Sequence, residues 1–466
     1  MPTFRFLPKL PVLAQRNVQR LIPALGRATL LYLLLSGGGV LAQAQDLTPT
    51  RLSPDQMNQV LQMELGLEAE FEAHFRQDLA EVTQTPADIA QTLAELNAAT
   101  GTNAAVLWAI PETDFLHLVL VMPDGETLVL DRTDVPQNTL NATVRKFRRG
   151  IQSPHNDRVL DPAQQLYDWI LGPFEQDYLQ AKGIDKILFC LGDGLRGIPM
   201  AALHDGEQFV LEKYSTTLIP AFNLIETDYQ ANPSRDILAM GASEFVEQNP
   251  LPAVPVELDS IHAAVELTAV GRHYLDWQVR SLLNQDFTVD TLDDLLEDES
   301  FDIVHLATHA SFAPGHPRES YIQFRGERLT LHEMHQLDWQ NPQVELLILS
   351  ACETALGNSE AELGFAGMAL KAGVKSAIAS LWTVSDAGTL ALMTEFYHRL
   401  PMAPTKAEAL RQAQLQLLQG NVTFTDTSLR LPNSEIPLSE DLQGATPDNL
   451  SHPFFWASFT MVSHPW

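Results

Sequence analysis

"IVHLATHASF" (303–312) and "VELLILSACETA" (344–355) decide the fold. Each is an apolar run that ends at a chemically competent side chain, His309 in the first and Cys352 in the second. Apolar runs of this kind, without polar alternation, mark strands buried on both faces. Others are "KILFCL" (186–191), "RDILAMG" (235–241), "RHYL" (272–275), "SAIASLW" (376–382) and "FFWASFTMV" (454–462). Helical patterns fall between them, among them "LDSIHAAVEL" (258–267), "GFAGMALKAG" (364–373) and "AGTLALMTEFYHRL" (387–400). Strands alternating with helices predict an α/β fold, a mainly parallel sheet covered by helices on both faces. The polar, proline-containing stretch 420–451 predicts a long loop before the last strand.

In such a sheet, functional side chains collect just past the carboxyl ends of strands, where His309 and Cys352 both stand. A thiol with an ordinary pKa near 8.5 is mostly protonated at neutral pH, and a neighbouring imidazole supplies thiolate. The chemistry implied is attack on a carbonyl, above all an amide. Backbone N–H groups at the strand ends would hold the oxyanion. Residue types alone leave a second reading open, a core cysteine and a capping histidine. Ser350 is the weaker nucleophile, because it precedes the strand-end position that Cys352 occupies.

Upstream, "SPDQMNQVLQMELGLEAEFEAHFRQDLAEV" (53–82) and "TPADIAQTLAELNAATG" (85–101) read as helices. Ser53 and Thr85 stand at N-cap positions, each before a proline, and Gly101 is a stop. "AAVLWAIP" (104–111), "FLHLVLVMP" (115–123) and "ETLVLD" (126–131) read as strands, with "PDG" (123–125) as a turn. Residues 45–150 therefore form a small α+β module ahead of a larger domain over 151–466. The basic run "RKFRRG" (145–150) lies near that junction.

The 466 residues carry 59 acidic and 29 basic side chains, a formal net charge of −30. So acidic a surface argues against nucleic acid as a partner. Residues 1–27 run against the trend, with Arg5, Lys9, Arg16, Arg20 and Arg27 and no acid. "ATLLYLLLSGGGV" (28–40) and an A-x-A pattern at Ala42 and Ala44 follow. Basic, apolar, small-residue is the order of a secretory signal. Residues 1–44 are thus expected to export the chain to the periplasm or beyond, or to tether it to a membrane. Without that signal the location is cytoplasmic. Two cysteines make no disulfide framework, and Cys190 reads as a buried small hydrophobe.

Three motifs are decoys. "GDGLRG" (192–197) fits G-x-G-x-x-G after a strand. Pro199 and "HDG" (204–206) leave no room for the helix that a dinucleotide needs, so a tight turn is expected. "HEMH" (332–335) spaces its histidines at i and i+3, not the i and i+4 of a zinc helix. His305 and His309 have the four-residue spacing, but on a strand and without a third ligand. Neither metal nor cofactor is expected.

"DIVHLATHASF" and "LLILSACETALG" together resemble the CHAT family, whose caspase-like domain is often found beside helical repeats. The resemblance takes in "GDGLRGIPMAAL", "ELGFAGMALKAGVKSAIASLWTVSD", "FYHRL", "KAEALRQAQLQLL" and "HPFFWASF", in order over roughly residues 155–466. It implies a clan-CD cysteine peptidase fold with His309 as general base and Cys352 as nucleophile. The backbone amides of Ala310 and Cys352 would form the oxyanion hole. Many relatives have glycine where this chain has Ala310. "SACET" departs from the caspase signature, so aspartate specificity is not implied. "LWTVSD" (381–386) is similar to a separase segment that places an aspartate in the S1 pocket. Asp386 would then bind a basic P1 side chain, with Asp193 as a second candidate; an N-cap role fits Asp386 equally well. A basic-specific enzyme could cut its own "RKFRRG". The expected partner is a protein or peptide substrate. The other class of function is a catalytically silent CHAT-fold scaffold.

Overall fold

The apolar runs become the central strands of one large sheet. The computed structural model describes residues 48–466 except 53–56, 80–82, 155–156, 230–234, 247, 272–276, 316 and 355–357. The signal or anchor at 1–44, the Ser53–Pro54 helix start and the strand expected at 272–275 lie outside the described residues.

The strands are β1 (Thr50–Arg51), β2 (Ala104–Pro111), β3 (Leu116–Val121), β4 (Thr127–Arg132), β5 (Lys186–Leu191), β6 (Ser215–Ile219), β7 (Arg235–Gly241), β8 (Trp277–Leu283) and β9 (Ile303–Phe312). Then come β10 (Tyr321–Gln323), β11 (Arg328–Thr330), β12 (Leu346–Thr354) and β13 (Ser376–Ser380), three short strands β14 (Thr423–Phe424), β15 (Ser428–Arg430) and β16 (Glu435–Pro437), and β17 (Phe459–Ser463). The large sheet runs β1-β4-β3-β2-β5-β6-β17-β13-β12-β9-β10-β11, with β7 on the first half of β9 and β8 outside β7. Ladders among β7, β8, β9, β12 and β13 are parallel, as are those of β2, β5, β6 and β17. The two parallel sets meet head to tail where β17 pairs antiparallel with β13. This is the mainly parallel α/β architecture that the sequence predicts.

Among the described residues nine longer helices accompany the sheet: α1 (Met57–Phe75), α2 (Pro86–Thr100), α3 (Gln137–Ile151), α4 (Leu160–Ile170), α5 (Val254–Gly271), α6 (Val289–Asp298), α7 (Ser359–Ala366), α8 (Asp386–Arg399) and α9 (Lys406–Leu418). α2 starts as its sequence demands. Thr85 caps the N–H of Asp88, the Asp88 carboxylate returns to the Thr85 N–H, Pro86 follows the cap, and Gly101 closes the helix at φ +69°. Among the described residues no helix is long and apolar enough to cross a membrane.

Two expectations change. The stretch 420–451 is not all loop, because β14, β15 and β16 pair antiparallel into a small sheet of their own. A division at residue 150 does not coincide with a break in the sheet, because β2 pairs in parallel with β5 from Ala104–Lys186 to Ala109–Leu191. Leu47–Trp466 is one compact unit. α1 binds its first half from the side: buried Glu64 accepts from the Trp108 indole N–H and from the Asn223 backbone N–H. Burial pushes the Glu64 carboxyl up to about 7.

Candidate active site

β9 and β12 are neighbours in parallel register from Leu346–Ile303 onward. Leu349 lies opposite Leu306 and Ala351 opposite His309, so Ala307 and Thr308 together face the single residue Ser350. The extra residue is a bulge in β9, which reverses the facing of the residues beyond it and sharpens the local twist. Burial follows: β9 is buried without a break from Ile303 through Thr308, and His309 is the first residue to reach the surface. Cys352 lies opposite Ala310, one step beyond His309. The backbone thus sets both residues at the carboxyl ends of adjacent strands. β13 pairs β12 only as far as Leu349, so that edge of β12 has no strand partner from Ser350 onward among the described residues.

The loop after β7 fixes the imidazole. His309 Nε2 lies 2.8 Å from the Asn249 carbonyl oxygen, and the Phe245 ring meets the imidazole edge-on at 4.8 Å. A carbonyl only accepts, so Nε2 carries the hydrogen and Nδ1 of the neutral ring keeps its lone pair. Asn249 has no signature in the sequence, because the group that acts is a backbone carbonyl that any residue supplies. Beside this loop a cleft of about 450 Å³ is lined by Phe245, Val246, Gln248 and the β10–β11 hairpin.

Ala310 is paired on both sides, with Cys352 on β12 and Ile322 on β10. In a strand with neighbours on both edges the backbone N–H is engaged whichever way it points.

Asp386 is the first residue of α8, and the N-cap is its neighbour Ser385, whose hydroxyl accepts from the Gly388 N–H. Asp386 Oδ2 instead accepts from the Ala253 N–H at 2.8 Å, just ahead of α5. Burial pushes its carboxyl up to about 6, against the opposing effect of that hydrogen bond. Phe245 and Asn249 thus touch His309, and Ala253, four residues after Asn249, touches Asp386. Asp193 lies elsewhere, in a cleft with Arg145, Arg148 and Arg149.

The decoys resolve as local structure. "GDGLRG" is a turn closed by Leu195 N–H to Gly192 O, with Gly194 at φ +82°. His335 Nδ1 bonds back to the His332 carbonyl at 2.7 Å. His305 is wholly buried, between the Glu257 carboxylate on α5 at 2.9 Å and the Tyr397 hydroxyl on α8 at 3.2 Å. Cys190 is buried, its thiol pushed up by that burial and donating to the Pro220 carbonyl. β5 and β12 are four strand steps apart, roughly 19 Å, too far for a Cys190–Cys352 bridge. "RKFRRG" is the last part of α3, with Arg148 buried against Glu362. A peptidase binds extended chain, so this run is not presented for cutting in the fold.

Residues 160–464 match the family described as the CHAT domain. The chain belongs to the CHAT family. No curated protein matches the sequence. In structure, the CHAT chain is similar to separase in two structures of the Saccharomyces cerevisiae separase–securin complex. Identities are 9% and 11%, with TM-scores of 0.49 and 0.44; 81% and 83% of this chain and 31% and 32% of those chains are covered. It therefore spans about a third of the separase chains it matches. It is also similar to the Arg-specific cysteine proteinase gingipain R, at 13% identity and TM-score 0.34, covering 71% of this chain and 74% of that one.

Proposed function

We propose that this CHAT chain is a cysteine endopeptidase with Cys352 as nucleophile and His309 as base. The observation that carries the reading is the β9–β12 register, which sets Cys352 one residue beyond His309 on the next strand. The Asn249 carbonyl holds the Nε2 hydrogen, so His309 Nδ1 takes the Cys352 proton. The thiolate adds to the scissile carbonyl carbon, and the displaced electron pair goes to oxygen. His309 returns its proton to the leaving amine as the C–N bond breaks, and water then cleaves the thioester. The unpaired edge of β12 past Leu349 gives an extended substrate a strand to lie against.

Asp386 is the better of the two candidates for a basic P1 side chain. It accepts from Ala253, four residues after the Asn249 that holds His309, whereas Asp193 shares its cleft with the guanidiniums of Arg145 and Arg149, which would repel a cation. A second reading, a catalytically silent CHAT scaffold, draws on Ala310, whose pairing on both sides leaves no free amide for an oxyanion. An activity-based peptide probe with Lys or Arg at P1 separates the two. Labelling of the native chain and its loss in Cys352→Ala carries the peptidase. Absence of labelling under reducing conditions leaves the scaffold. We also propose that residues 1–44 export or anchor the chain; recovery of a tagged full chain in the cytoplasmic fraction overturns that.

A further inference from the structure

A second cleft, of about 710 Å³, lies between α3 and the start of α7. Its α3 wall includes Asn141, Arg145, Arg148 and Arg149, brought to one side by helical spacing. Asp193 and Ser359 line it as well. Arg148 is fixed: it pairs with the buried Glu362 carboxylate of α7 at 2.5 Å and donates to the Gly194 carbonyl at 3.1 Å. Its Nε is buried with no partner.

Arg145 and Arg149 differ from it. Both are exposed, and neither has a carboxylate partner among the described residues. In a chain with 59 acidic and 29 basic residues, two guanidiniums that no carboxylate neutralises among the described residues face one cleft, the Arg149 Nε donating to the Arg145 carbonyl at 3.1 Å. They stand one turn apart, about 6 Å along the helix, and each offers a planar fork that matches an oxyanion in two bonds. Asp193 is the one carboxylate among the described lining residues, and Glu362 balances Arg148, so the free positive charge is concentrated on the α3 side.

We propose that this cleft binds a compact polyanion, a small molecule with at least two phosphate or carboxylate groups spaced to meet Arg145 and Arg149. Such binding is independent of peptidase activity. Ser359 opens α7, so a bound anion would steady the start of the helix that follows the Cys352 strand.

Calorimetric titration of the full chain with inorganic tripolyphosphate and, separately, with citrate tests it; the two arms distinguish phosphate from carboxylate chemistry. Saturable binding of either anion is expected. Arg145→Glu with Arg149→Glu should weaken it at least tenfold, while Lys146→Glu, an exposed charge on the same helix outside the cleft lining, should change it less than twofold. Both arginines are exposed, and circular dichroism checks that the variants keep the fold. Hydrogen exchange across 359–366 should slow on binding. Saturation by neither anion, unchanged binding in the double variant, or equal weakening in the Lys146 control overturns the assignment.

Discussion

His305 and His309 stand four residues apart on one strand, and the bulge between them gives them different surroundings. His305 bridges Glu257 and Tyr397 in the core. Removing the ring leaves the buried Glu257 carboxyl and Tyr397 hydroxyl without this hydrogen-bond partner, so His305→Ala should cost at least roughly 1–3 kcal/mol in a denaturant titration. Asp386→Asn tests a different residue in two ways. Its carboxyl is raised from an ordinary value of 3.8 to about 6, so the fold favours the protonated form. That contribution is fully present below about pH 4 and is lost as pH rises through 6. The amide oxygen of the variant can still accept from Ala253, so the substitution should flatten that decline in thermal stability between pH 4 and 6. If Asp386 also lines the P1 pocket, the variant should lower kcat/KM for Arg and Lys substrates at least tenfold while a neutral P1 is little affected. Residue types made His309 and Cys352 legible, because apolar runs end at them. The Asn249 carbonyl was not legible, since a backbone acceptor carries no residue signature.

Among elements, α3 and α7 are joined through one buried ion pair, Arg148 with Glu362. Glu362→Ala would strand a guanidinium that is 9% exposed, at a cost of roughly 3–5 kcal/mol by chemical denaturation. Arg148→Met with Glu362→Leu should recover much of that loss, because an apolar pair of similar volume leaves no charge to desolvate. The elements readable from sequence were those with long periodic or unbroken apolar patterns: α2 with its cap, and β5, β7, β9 and β12. β6 has little signal of its own, because "STTLI" (215–219) is short and mostly polar. β10 and β11 are three residues each, too short for any period, and they owe their pairing to β9 beside them. β14, β15 and β16 are equally short and carry no period either.

Across the whole molecule, the sheet ignores the boundary that composition suggests near residue 150. β2 covers the edge of β5, and Glu64 on α1 holds Trp108 of β2. A chain starting at 151 would expose that edge as an unpaired apolar strand, so it should aggregate where 47–466 does not, as light scattering of the two purified chains would reveal. Calorimetry of 47–466 should give one cooperative transition rather than two. β17 lies between β13 and β6, although more than seventy residues separate it from β13 in sequence. On the ribosome, the strand pair bearing His309 and Cys352 and the layer built on β5 and β6 are both made before this strand emerges. Each must wait with a bare rim, vulnerable to rogue partners. Zipping of the two halves is deferred until residues 459–463 slot in, so the sheet is the last thing that synthesis completes.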